Sequence, residues 1–162
     1  MMNDRLAQTV ALCRRTGTYG ALLFADLDNF KPLNDNYGHD AADLLLIEAA
    51  NRLKHVVREV DTVARYGGDE FVVIVSELSH ERSEAHKQAE QIAVKMLSRL
   101  MEPFVVMLPS KHNSIEYVCG ASIGAVLFSD DKEHEEIVRY GDIAMYKAKE
   151  AGRAQVVFYE ES

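Results

Sequence analysis

The chain has 162 residues, 48% of them apolar and 27% charged, the size and make-up of one domain that buries a single core without covalent staples. Its formal net charge of −8 argues against a general nucleic-acid binder, which normally shows a basic face. It leaves room for a nucleotide site, because a few lysines and arginines beside a metal ion can hold one triphosphate. No apolar run approaches the roughly 20 residues that span a bilayer. The charges within MMNDRLAQTVALCRR do not read as a signal peptide. Cys13 and Cys119 lie far apart and form no disulfide or metal pattern, which predicts a reducing, cytoplasmic setting with both thiols packed in or near the core. The six histidines show no metal-ligand spacing, and most are expected at the surface.

Leu6, Val10 and Cys13 recur at helical intervals in residues 4–16, and Gly17 and Gly20 end that pattern. ALLFAD at 21–26 is a short apolar run suited to a buried strand. NFKPLNDNYGHD is rich in Asn, Asp, Gly and Pro and reads as irregular or short-helical. The following AADLLLIEAANRLKHVVREV is helical, with Asp40 expected as its N-cap. TVARYGGDEFVVIV holds two strand-like runs around Gly67-Gly68, a tight hairpin in which both glycines are free to take positive φ. A polar loop then leads into a helix of about 18–20 residues by pattern. FVVML and SIEYVCGASIGAVLFS supply two or three strands, with the turn at Pro109–Asn113. EEIVRYGDIAMYKAKEAG is a helix stopped by Gly152, and AQVVFYE is a last strand. The order α-β-α-α-β-β-α-β-β-β-α-β predicts an α+β domain over 1–162, with a central, mostly antiparallel or mixed sheet flanked by helices.

Two acidic clusters carry candidate chemistry. Asp26 and Asp28 end the first apolar strand, and Asp69 and Glu70 follow the two glycines at a hairpin tip. If those strands are neighbours, their carboxylates meet at one sheet edge as a hard-oxygen site for Mg²⁺ (or Mn²⁺). Side chains at 67 and 68 would keep a nucleotide off the hairpin backbone. Taken singly, Asp-x-Asp also reads as a cap and Gly-Gly-Asp as a plain turn.

RYGGDEF at 65–71 resembles the signature of the GGDEF family, and a chance match of five fixed residues is on the order of 10⁻⁴. DLDNFKPLNDNYGHDAAD at 26–43 resembles that family's upstream block, and ASIGAVLF at 121–128 and DIAMYKAKEAGR at 142–153 resemble later ones. The resemblance implies a nucleotide cyclase-like palm fold and a diguanylate cyclase, which condenses two GTP into cyclic di-GMP as a transient two-fold homodimer. It implies that Asp26, Asp69, Glu70 and the carbonyl of Leu27 hold the metal, with Asp69 the essential acid and Glu70 assisting. Asn34 and Asp43 would read guanine, and Phe30, Lys31, His39, Gly67 and Gly68 would line the pocket. Lys149 and Arg153, taken as four apart on one helical face, would hold the triphosphate. Arg58 and Asp61 stand where the family has its Arg-x-x-Asp site for inhibition by the product, although residues three apart can also simply pair.

One departure is visible: Ala42 replaces the second glycine of the upstream block. The opening segment of the family is echoed only by Asn3-Asp4-Arg5-Leu6, which suggests a piece of a longer sensor protein, one open to membrane anchoring outside this domain, and VVFYEES resembles a junction to an EAL phosphodiesterase domain. The alternative function is therefore a GTP- or cyclic di-GMP-binding regulatory module of a GGDEF–EAL phosphodiesterase. A cyclase or polymerase palm of another kind would share the acidic pair but not the Arg58–Asp61 and Asn34–Asp43 pairs.

Overall fold

A computed structural model describes residues 2–108 and 113–160. The elements follow the expected order: α1 (Met2–Thr16), β1 (Gly20–Leu27), α2 (Phe30–Tyr37), α3 (His39–Val56), β2 (Thr62–Gly67), β3 (Glu70–Val75), α4 (Arg82–Met101), β4 (Phe104–Leu108), β5 (Asn113–Tyr117), β6 (Ala121–Phe128), α5 (His134–Glu150) and β7 (Val156–Phe158). Five strands form one sheet in the order β2-β3-β1-β6-β7. All its pairs are antiparallel except β6 with β7, which the α5 crossover makes parallel. β4 and β5 stand apart as a two-stranded ribbon, and 109–112 of the turn expected between them lie outside the described residues.

β1 organises the core. All eight of its residues are buried, and successive side chains point to opposite faces. Ala21, Leu23, Ala25 and Leu27 meet Phe71, Val73 and Val75 under α3 and α4. Leu22 and Phe24 meet Val72, Ile74, Val126 and Phe128 under α1 and α5. A strand covered on both faces needs a continuous apolar run rather than alternation, which is why ALLFA lacks polar residues. Each fully buried Leu or Phe contributes about 1.5–3 kcal/mol. Cys13 and Cys119 are buried free thiols, and burial pushes both up to about 11.

Glycine sets the height of α5 over the sheet. A Cβ on Gly124 would lie 2.1 Å from the backbone nitrogen of Met145 and 2.5 Å from the carbonyl oxygen of Gly141. Helix and strand therefore touch backbone to backbone, which carries the last turn of α5 down onto the end of β1.

Arg52 of α3 closes the end of α4. Its guanidinium donates to the carbonyls of Arg99, Glu102 and Pro103, each at 2.8 Å, and lies 3.7 Å over the Phe104 ring. Carbonyls left over at a helix C-terminus need such partners.

Two local expectations change. The N-cap of α3 is Gly38 at φ 90°, so Asp40 lies inside the first turn, where its charge still suits the helix dipole. In the hairpin only Gly68 takes positive φ, at 46°, and Arg65 Nε braces its carbonyl at 2.9 Å.

Candidate functional site

Strand parity builds the site. Asp26 continues the Leu22–Phe24 face of β1, so its side chain points toward α5. Glu70 is its register partner on β3 and Ser122 its partner on β6, both on that same face. Lys149, in the last turn of α5, places its Nζ 2.7 Å from Asp26 Oδ2. The side chains of Asp26 and Lys149 are 9% and 26% exposed. Asp26 Oδ1 is buried and has no hydrogen-bond partner among the described residues. Burial holds the Asp26 carboxyl above its ordinary range, with Lys149 pulling it down and Asp69 and Asp28 pushing it up. Burial also raises Glu70, reinforced by the charges of Asp26, Asp142 and Asp69.

Asp28 is committed elsewhere. The strand ends at Leu27, and Asp28 turns away to accept the Ser122 hydroxyl at 2.6 Å and the Ala154 N–H at 3.1 Å. It thereby ties down a loop in which Gly152, Arg153 and Ala154 all have positive φ. The helical face expected for Lys149 and Arg153 does not exist, because α5 ends at Glu150 and Arg153 is left-handed at φ 65°. Arg153 still reaches the site from that loop, where Nη1 lies 3.4 Å from the Asp28 carbonyl. Leu27 is the last residue of β1, and its N–H donates to the Asp69 carbonyl at 3.2 Å, which brings the hairpin tip beside the strand end.

Two clefts flank this edge. One of about 560 Å³ is lined by Asp26, Glu70, Asp142, Tyr146 and Lys149, among others, from the sheet and α5. The other, about 440 Å³, lies between α3 and β2 and is lined by Asp43, Ile47, Lys54, Arg65 and Phe71, among others. Asn34, half-buried on α2, is outside that lining, as are Lys31 and His39, which are exposed, and Phe30, which packs against the core. A Cβ built on Gly67 or on Gly68 meets nothing within 4 Å. Gly68 is required by its φ; at Gly67 neither space nor backbone demands a glycine. Ala42 packs into the core with its N–H on the Gly38 carbonyl at 3.2 Å, so the departure at this position costs the fold nothing visible.

No group of three His, Cys, Asp or Glu able to hold a metal ion occurs among the described residues. Mg²⁺, however, binds through one or two carboxylates and leaves its other positions to phosphate and water. A buried carboxylate oxygen without a partner, beside a second carboxylate across the strand pair, fits that donor set.

Arg58 and Asp61 form a separate corner at the other end of the β2–β3 hairpin. The Asp61 side chain is 0% exposed and that of Arg58 50%. Asp61 accepts from Arg58 N at 3.0 Å, Arg58 Nε and Nη2 at 3.3 Å and Ser76 N at 3.2 Å, while Arg58 Nη2 also donates to the Ser76 carbonyl. A cleft of about 500 Å³ beside them also draws on Arg5 and Lys54.

Sequence reasoning missed Asp142, Ser122 and Arg65. Asp142 lies seven residues before Lys149 on α5, two helical turns away on one face, and that spacing was a usable signal. Ser122 and Arg65 act through contacts that no local pattern announces.

A family model described as diguanylate cyclase, GGDEF domain, matches residues 1–155. The chain is 40% identical over 163 residues to the bifunctional diguanylate cyclase/cyclic di-GMP phosphodiesterase MucR of Pseudomonas aeruginosa, covering 100% of this chain and 22% of that protein. It is 31% identical over 167 residues to the diguanylate cyclase DosC of Escherichia coli, covering 100% of this chain and 34% of that protein. The chain thus spans only 22% and 34% of the lengths of these relatives. The crystal structure of the GGDEF domain of YfiN (or TpbB) from Pseudomonas aeruginosa matches with a TM-score of 0.86 at 29% identity, covering 99% of this chain and 94% of that one.

Proposed function

Because the chain belongs to the GGDEF diguanylate cyclase domain family, we propose that it condenses two GTP molecules into cyclic di-GMP, releasing two pyrophosphates. The observation that carries this reading is the Asp26–Glu70 pair across β1 and β3, with one buried carboxylate oxygen unsatisfied and Lys149 alongside. A fold ordinarily satisfies its buried polar atoms with protein or water, so an orphan of this kind is a place that an ion or water can fill.

Asp26, Asp69, Glu70 and the Leu27 carbonyl would hold Mg²⁺ or Mn²⁺, whose chemistry is to neutralise charge on the phosphates in flight. Lys149 and Arg153 bind the triphosphate of one GTP. The 3′-hydroxyl oxygen of a second GTP forms the new bond to the α-phosphorus as the bond to pyrophosphate breaks in line. Its proton passes to a carboxylate of the signature. Asp69 is the acid favoured for that step, with Glu70 assisting from the register position opposite Asp26. Asp43, and Asn34 from the adjoining helix, read the guanine edge. With one GTP per domain, two domains must face each other about a two-fold axis, and the second round closes the ring.

Product inhibition is assigned to the Arg58 corner. Asp61 is sealed beneath Arg58, so Arg58 makes the product contact and Asp61 fixes its guanidinium. No helix of the described residues is long and apolar enough to cross a membrane.

The likeness to a bifunctional relative favours one second reading, a GTP- or cyclic di-GMP-binding module that regulates an adjoining phosphodiesterase domain. Incubating the domain with GTP and Mg²⁺ and separating the products by chromatography distinguishes the two. Cyclic di-GMP is the expected product; bound GTP with no product would transfer the function to the regulatory reading.

A further inference from the structure

Lys149 occupies a position that the proposed reaction needs for something else. Its ammonium lies 2.7 Å from Asp26 Oδ2, while Oδ1 is sealed from solvent and bonded to nothing described. An ion taken up by Oδ1 would share one carboxylate with the ammonium already on Oδ2. Two cations on one carboxylate also repel, and in a partly buried site that repulsion is weakly screened. A purely structural ion pair would be expected to fill both carboxylate oxygens, as the fold does for Asp61. Lys149 is moreover equipped to leave. It sits in the last turn of α5 on a flexible four-carbon stem, is 26% exposed, and lines the open cleft of about 560 Å³.

We infer that Lys149 is an exchangeable counter-ion that neutralises Asp26 in the ligand-free protein, yields that carboxylate to the divalent ion, and passes to the phosphates of the nucleotide. This rests on the GTP and metal reading above and adds a consequence to it: ion and nucleotide bind as a coupled pair. The ion alone must displace an ammonium with nowhere favourable to go, whereas the nucleotide supplies its new partner. Such coupling is reciprocal by linkage, each ligand raising affinity for the other by the same factor. The site is thereby kept from collecting divalent ions without substrate, and Asp26 is never left as a bare buried charge.

The test measures Mn²⁺ binding to nucleotide-free protein by electron paramagnetic resonance, for the parent, Lys149→Met and Asp26→Asn, and repeats it with the α,β-methylene analogue of GTP. Lys149→Met is expected to bind Mn²⁺ about tenfold more tightly than the parent, since one like charge is removed from beside the ion. In the parent the analogue should raise Mn²⁺ affinity about tenfold, and in Lys149→Met much of that coupling should vanish. If Lys149→Met binds Mn²⁺ no more tightly while Asp26→Asn loses it, the exchange is wrong and the metal reading stands. If Asp26→Asn binds Mn²⁺ like the parent, the metal reading itself falls. Should Lys149→Met fail to fold, lysine-selective nuclear magnetic resonance of the parent decides. A Lys149 ammonium signal released by Mg²⁺ with the analogue supports the exchange, and one that stays on Asp26 overturns it.

Discussion

Asp26 and Asp61 sit at opposite ends of the β2–β3 hairpin, with side chains 9% and 0% exposed. Asp61 accepts hydrogen bonds on both oxygens from Arg58 and Ser76 and locks the entry to β2 against the exit from β3. Asp26 has one oxygen on Lys149 and the other on nothing among the described residues, with neighbours of its own sign. Burying a carboxylate is costly unless its lone pairs are filled. The chain fills them at Asp61, which braces the hairpin, and leaves one open at Asp26, where the proposed reaction places an ion. Burial alone therefore does not separate these two carboxylates; the state of the second oxygen does.

The largest effect that this contrast predicts is on turnover. Asp26→Asn should lower cyclic di-GMP synthesis at least about a thousandfold, because a charge that acts on the transferring phosphate is gone. Its stability should stay within about 1 kcal/mol of the parent at pH 7. The sign follows from linkage: the carboxyl is raised in the folded state, so its contribution is most favourable below the unfolded pKa and is lost as pH rises through the folded one. A neutral Asn removes that loss, and the stability of the variant should depend less on pH in the acidic range. Product chromatography and urea unfolding at several pH values check both halves; near-normal turnover would take Asp26 out of the mechanism.

Asp61→Asn reverses the pattern. It places an amide where Arg58 and Ser76 donate, and it should cost about 3 kcal/mol of stability. With product removed as it forms, turnover of the folded fraction should remain close to that of the parent. A urea midpoint unchanged from the parent would show that the corner is not structural.

Arg58→Ala is milder, since the guanidinium is half exposed and Asp61 keeps its Ser76 partner. About 1 kcal/mol of stability should be lost. Calorimetric titration with cyclic di-GMP should show weakened binding, and progress curves should lose their late slowing. Equal product affinity in parent and variant would leave Arg58 with a structural role alone.

How far the sequence anticipated this contrast differs between its two ends. The apolar run ALLFA and the glycine-punctuated hairpin were legible, and with them the chance that Asp26 and Glu70 would meet on neighbouring strands. The residues alone did not separate the roles within Asp-x-Asp, and only the family resemblance placed the metal on Asp26. Asp28 is drawn away by Ser122 and Ala154, 94 and 126 residues along the chain, and no local pattern carries that information. The same distance hid the pairing of Lys149 with Asp26. Arg153 looked helical by its spacing from Lys149, but Gly152 at φ 118° ends the helix first. β4 has the buried–exposed alternation of any half-covered strand, so nothing local separated the β4–β5 ribbon from the main sheet. The Arg58–Asp61 pair was readable either as an ion pair or as a ligand site, and its geometry shows the ion pair formed.

The smallest effect sharpens the comparison at the hairpin tip, where Gly67 and Gly68 adjoin Asp69 and Glu70. Gly68 is at φ 46°, so Gly68→Ala should cost about 1 kcal/mol for the left-handed backbone alone. Gly67 has no such conformation and open space around it. Gly67→Ala should therefore raise stability, by about 0.4–1 kcal/mol, because alanine has fewer unfolded conformations to lose. A glycine that the fold would be better off without has its reason outside the fold. If GTP lies against this backbone, the added methyl should raise KM for GTP and lower synthesis despite the stabler protein. Unfolding curves beside initial rates over a range of GTP concentrations test this. A stabilised Gly67→Ala variant with unchanged KM and kcat would show that the nucleotide does not approach the hairpin here, and would move the phosphate subsite toward Lys149 and Arg153 alone.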